Sequence, residues 1–169
     1  MQNWLIHDSH SLTYRSPFGA VPCGTEVKIV LAVAGNRAPD EVHLCLMGHS
    51  DGTRYIPMKQ EICQDGSCTF RTTVTVLAEP GWLWYYFVIG MQGARLYYGN
   101  NKALLGGLGE TSFEPPHPWQ ITVHAAGSDT PAWFRESIMY QIFVDRFYNG
   151  NEDGRVENAP PGSVIHAHW

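Results

Sequence analysis

The chain has 169 residues, with 11 Lys and Arg against 16 Asp and Glu for a formal net charge of −5. That length suits one ordinary domain, or one domain and a piece of another, and 44% hydrophobic against 16% charged residues suits a packed core rather than disorder. An acidic balance with no basic stripe excludes a nucleic-acid footprint, and no apolar run approaches the roughly 20 residues of a membrane helix.

Six Trp, eight Tyr and seven Phe among 17 Gly and 11 Pro read as strands cut by frequent turns. Residues 26–33 place Val27, Ile29, Leu31 and Val33 on one face at period two, and residues 41–47 do so with Val42, Leu44 and Leu46. After Cys63–Cys68, a run from Phe70 aligns Phe70, Thr72, Val74 and Val76. Residues 82–89 alternate Leu83, Tyr85, Phe87 and Ile89 against Trp82, Trp84, Tyr86 and Val88. Shorter strands are expected at Leu12–Arg15, Arg54–Lys59, Ala94–Tyr98 and Trp119–His124, with turns at Gly35-Asn36, Asp51-Gly52, Asp65-Gly66, Pro80-Gly81 and Gly90. This spacing predicts an all-β, antiparallel sandwich over 1–125. A linker follows over 126–132, where small and polar residues end in Pro131. The nearly unbroken apolar run 138–144 then reads as a strand buried on both faces of a parallel sheet, the start of a second domain over 133–169 that is cut short.

The stretch Pro131-Ala-Trp133 through Met139-Tyr-Gln-Ile-Phe-Val-Asp-Arg-Phe-Tyr-Asn-Gly150 resembles the opening of the catalytic barrel in the alpha-amylase superfamily of glycoside hydrolases. Val144 stands where many members carry proline. The preceding region is similar to the N-terminal domain of the neopullulanase, cyclomaltodextrinase and pullulanase branch, through Trp84-Tyr-Tyr-Phe87, Tyr97-Tyr-Gly99, Gly106-Gly-Leu-Gly109 and Trp119-Gln-Ile-Thr-Val123. The resemblance implies an immunoglobulin-like sandwich fused to a (β/α)8 barrel that hydrolyses α-1,4 or α-1,6 links of starch, pullulan, maltodextrin or cyclodextrin. A retaining mechanism needs two carboxyl groups about 5–5.5 Å apart, supplied from the ends of several barrel strands. Only the first such strand is here, and Asp145 at its end reads as framework, so no residue is assigned a catalytic role. Several relatives hold calcium in the loop after that strand. By that resemblance, and by their alternating oxygen ligands, Asn149, Asn151 and Asp153 are candidate calcium ligands in the full-length enzyme, against the plainer reading of a solvated loop.

Sugar binding needs flat apolar surface beside hydrogen-bonding groups. With Leu83, Tyr85, Phe87 and Ile89 in the core, Trp82, Trp84 and Tyr86 form a row on the outer face of their strand. Such a row marks docking on the chain's own catalytic barrel, a homodimer contact, or stacking on α-glucan. Tyr97, Tyr98 and Trp119 are further candidates for sugar contact, with core packing at strand ends as their other role. The rival from another class is a stand-alone immunoglobulin-like interaction module with no carbohydrate role, against which the barrel-opening motif argues. Met1–Leu5 lack the features of a signal peptide, so a cytoplasmic chain is expected; a hairpin turn at Gln64–Ser67 makes a Cys63–Cys68 disulfide geometrically possible, but such a chain would normally keep both reduced. His166 and His168 receive no role.

Overall fold

The computed structural model describes residues 4–35, 39–48, 52–64, 66–143, 152–153, 155–157 and 159–164. Among them, twelve strands run in chain order: β1 (Leu5–Ile6), β2 (Arg15–Ser16), β3 (Val21–Pro22), β4 (Glu26–Ala34), β5 (Glu41–Gly48), β6 (Gly52–Pro57), β7 (Lys59–Gln64), β8 (Ser67–Thr75), β9 (Gly81–Met91), β10 (Ala94–Gly99), β11 (Glu110–Ser112) and β12 (Trp119–His124). One short helix, α1 (Ala132–Arg135), follows.

The strands form two sheets. In the first, β4 pairs along its whole length with β8, from Glu26↔Thr75 to Ala34↔Ser67. Both β1 and β2 pair with β4, and β7 lies beyond β8. In the second, β9 is the axis: β5 pairs with it over Leu83–Gly90, β12 over Gly81–Tyr85 and β10 over Phe87–Met91. The hairpin partner β6 extends this sheet beyond β5, and β11 extends it beyond β10. One pair departs from the antiparallel expectation, since β3 runs parallel to β12 at Val21↔Val123.

Alternation decides the core. Val27, Ile29, Leu31 and Val33 of β4 meet Leu44 and Leu46 of β5 and Leu83, Tyr85, Phe87 and Ile89 of β9, all buried. Each such aliphatic side chain contributes about 1.5–3 kcal/mol by leaving water. A one-residue slip would turn every one of them outward, which is what holds the register.

The structure corrects several expectations. Over Leu12–Arg15 the backbone turns, with the Tyr14 and Arg15 amides donating to the Ser11 carbonyl, and only Arg15 and Ser16 join a ladder. Local hydrogen bonding to Ser11 competes there with strand formation. Arg54–Lys59 is not one strand: β6 pairs in the second sheet and β7 in the first, with buried Met58 at the crossing and its amide donating to the Val42 carbonyl at 2.8 Å. Cys63 and Cys68 are not reduced but disulfide-bonded, as their directly opposed places in the β7–β8 ladder permit.

The chain divides into two units, Met1–Ser128 and Asp129–Trp169. In the second unit, α1 starts after Pro131, and no strand forms over 138–143. Ile138 is 97% and Met139 74% exposed. An apolar run becomes a parallel strand only when neighbouring strands take up its backbone groups, and none does so among the described residues. Val144 and Asp145 lie outside the described residues.

A buried histidine ties the sheets together. His7 follows β1 and is fully buried, with Nδ1 2.8 Å from the Val30 carbonyl of β4 and Nε2 3.0 Å from the Tyr85 hydroxyl of β9. A carbonyl only accepts, so Nδ1 carries the proton and Nε2 accepts from Tyr85. The rings of Phe87 and Trp119 pack edge-on against it at 4.9 and 4.8 Å. Burial, with a smaller push from the Arg15 charge, lowers the His7 pKa from 6.5 to about 4.

The unfolded chain therefore takes up this proton first as the pH falls. His7 stabilises the fold fully above pH 6.5, and that contribution drains away between 6.5 and about 4, amounting to about 3 kcal/mol in all. Urea unfolding across this window should show the loss, and His7→Gln, which cannot titrate, should flatten it; an equally steep profile in the variant would contradict the assignment. A second expectation concerns Gly109, where a Cβ would collide with the Gly99 carbonyl and lie 2.7 Å from the Trp119 ring. Gly109→Ala should cost about 1–3 kcal/mol in urea unfolding.

Candidate functional site

On the outer face of β9 the alternation holds, but burial along it does not. Trp82 is 53% exposed and Trp84 half-buried, with ring centroids 6.3 Å apart and planes tilted by 46°. Tyr86 is buried, because Cys45 and Tyr55 of the paired strands β5 and β6 sit beside it and Tyr97 meets it edge-on at 6.0 Å. Burial raises the Tyr86 phenol and the Cys45 thiol above their ordinary pKa values, so neither ionises near neutrality.

Half-buried Tyr97 lies towards the other end of β9, beside a second cleft that Arg95, Glu41 and Phe113 also line. Tyr98 and Trp119 are core residues. Tyr98 accepts the Gly109 amide at 3.0 Å through its hydroxyl, and Trp119 stacks on Tyr85 at 5.5 Å. Neither presents an open ring face to a sugar. The structure thus brings Trp82 and Trp84 together, sets the buried Trp119 behind the cleft beside Trp84, and places Tyr86, Tyr97 and Tyr98 elsewhere.

Beside Trp84 a cleft of about 560 Å³ opens on the second sheet. Its apolar surface comes from Trp84, Phe18, Leu104 and Leu105, and its hydrogen-bonding groups from His10, Asn100, His117, Gln120 and Thr122. Residues at 10, 18, 84, 104 and 117 share no period or motif; only the topology brings them together. The one local signal was Leu104-Leu105 inside a turn-rich segment, where apolar side chains have no strand to bury them.

Hydrogen bonds to side chains shape the loop carrying Leu104. The Asn100 Oδ1 accepts the amides of Asn101 and Gly106, and the Asn101 Nδ2 donates to the carbonyls of Gly106 and Leu108. Ser9 fastens the loop to the segment after His7, accepting the Gly107 amide at 2.9 Å and donating its own to the Gly107 carbonyl. Leu104 is held at φ +59, a left-handed conformation that costs a non-glycine residue about 1–2 kcal/mol. Strain of this kind, kept at the wall of a cleft, is a mark of functional loops.

Of the candidate calcium ligands, Asn149 and Asn151 lie outside the described residues, as do His166 and His168. The Asp153 carboxylate accepts the Arg155 amide at 3.0 Å and lies 3.6 Å from its guanidinium. No group of three metal-binding side chains occurs among the described residues.

Over 89% of this chain and 25% of the other, the structure is similar to that of a cyclomaltodextrinase, with a TM-score of 0.56 at 17% identity. In sequence, 149 residues covering 87% of the chain are 34% identical to an amylopullulanase of Thermoanaerobacter thermohydrosulfuricus and 33% identical to one of Thermoanaerobacterium saccharolyticum. Those matches cover 10% and 12% of the relatives, so the chain spans about a tenth of their length. No family model matches the chain. The matches fit an N-terminal part of an alpha-amylase-family enzyme, a glycoside-hydrolase relationship.

Replacement of the core and surface rings should separate their roles. Trp119→Ala should destabilise the chain by about 3–5 kcal/mol, while Trp82→Ala should stay within about 0.5 kcal/mol of the parent. Urea denaturation of both variants checks this.

Proposed function

We propose that the sandwich is an accessory domain of an α-glucan-degrading enzyme of the amylopullulanase kind, and that it contacts the glucan through Trp82, Trp84 and the adjoining cleft. The carrying observation is the juxtaposition of two accessible indole rings with a cleft that mixes ring faces and hydrogen-bonding side chains. A pyranose has apolar C–H faces and a polar rim, which calls for that mixture. The tilt between the rings suits a curved α-linked chain better than a flat ribbon, because successive glucose units turn relative to one another.

A second reading, docking on the catalytic barrel, draws on the exposed Leu105 and Leu108 of the loop after β10, 78% and 52% accessible. Loops studded with apolar side chains are what a protein contact covers. Homodimerisation has no comparable observation in its favour.

Calorimetric titration with maltoheptaose and β-cyclodextrin separates the readings. Saturable binding, weakened about tenfold or more in Trp82→Ala/Trp84→Ala with a nearly unchanged thermal midpoint, is the expected result. Absence of heat at millimolar ligand would defeat the glucan reading and leave barrel docking.

A further inference from the structure

The cleft beside Trp84 has a cation in its wall and no acid to balance it. Arg15 is 6% exposed. Its Nη1 donates to the Gln120 carbonyl at 3.0 Å and its Nη2 to the Gly19 carbonyl at 2.9 Å. The Phe18 ring lies over the guanidinium carbon at 5.9 Å. These partners are dipoles and a ring face, so the full positive charge remains. Among the described residues no carboxylate comes within ion-pair distance of Arg15, and no Asp or Glu lines the cleft, in a chain whose net charge is −5. Two buried donors at this cleft, Nε of Arg15 and Nε1 of Trp119, have no hydrogen-bond partner. His10 and His117 supply ring nitrogens nearby.

A buried charge without a counter-charge is costly, and so is a buried donor without an acceptor. A ligand group with a negative charge in the cleft would supply the counter-charge that Arg15 lacks. A neutral sugar hydroxyl would not. We infer that the wall of this cleft is an oxyanion subsite, and that the sandwich selects an α-glucan carrying a phosphate monoester over the neutral chain. The inference rests on the glucan reading above and adds the ligand's charge to it. Phosphate brings three acceptor oxygens at neutral pH, and an arginine fork is the side chain best matched to them.

The test is calorimetric titration of the chain at low salt with three probes: maltoheptaose, a phosphorylated maltodextrin of similar length, and inorganic phosphate. The phosphorylated chain should bind about tenfold or more tightly than the neutral one, an advantage that shrinks as salt is added. Arg15→Gln should abolish the advantage. Because Arg15 also ties the 17–20 loop to β12, Ala20→Glu serves as a second variant: it sets a carboxylate at an exposed position of the cleft that supplies no side-chain hydrogen bond to the neutral glucan and should remove the preference while neutral binding persists. Equal affinity for the two maltodextrins overturns the subsite and leaves the glucan reading standing. Failure of both to bind overturns the glucan reading and this inference with it. Inorganic phosphate binding without any glucan binding would leave an anion site that does not recognise glucan and equally overturn the proposal.

Discussion

The sandwich depends on one neutral histidine held between its sheets. His7 donates to a carbonyl of β4 and accepts from the Tyr85 hydroxyl of β9, and a ring able to do both has to stay unprotonated. The surrounding aromatic side chains enforce that state by excluding water. The Arg15 charge opposes a second charge on His7. The interior thus contains a polar chain, from tyrosine through histidine to backbone, in a core otherwise built from aliphatic and aromatic packing. Such chains specify one arrangement of the layers because any other leaves a buried group unpaired.

The same residues organise the candidate site. The segment after β1 carries His7 inward and then runs beside residues 107–109, where the Gly109 amide reaches both the His7 carbonyl and the Tyr98 hydroxyl. Ser9 then fixes the loop that presents Leu104. Arg15, whose charge acts on His7 and Tyr85, lines the cleft beside Trp84. A change in the buried polar chain would therefore be felt at the surface, through backbone that has no slack. Gly109 illustrates the tightness, being placed where no Cβ fits between the Gly99 carbonyl and the Trp119 ring.

Much of the fold was legible because long strands advertise themselves. The strict alternation in β4, β5 and β9 located the core faces, since each of those strands buries one face and its pattern is set by the residues two apart. Short elements had no such signature: β1, β2 and β3 are two residues each and owe their existence to a neighbour. The crossing at Met58 was hidden for a related reason, as nothing local distinguishes a strand that continues from one that changes sheets. The fate of Tyr86 shows the same limit at the site. Its outward direction followed from the alternation, but its burial comes from Cys45 and Tyr55 across the sheet, which only pairing reveals. Arg15, Phe18, Leu104 and His117 lay too far apart in the chain to be read as one cleft. The barrel-opening motif at 139–150 carried the kinship, although its apolar run 138–143 forms no strand here.

In the proposed function, glucan contact falls on Trp82, Trp84 and the adjoining cleft. Indole N–H resonances of the isotopically labelled chain, followed by NMR during titration with maltoheptaose, test it most directly. The signals of Trp82 and Trp84 should move together and saturate, while those of Trp4 and Trp133 stay in place. Stationary Trp82 and Trp84 signals, or shifts confined to Trp133, would contradict it.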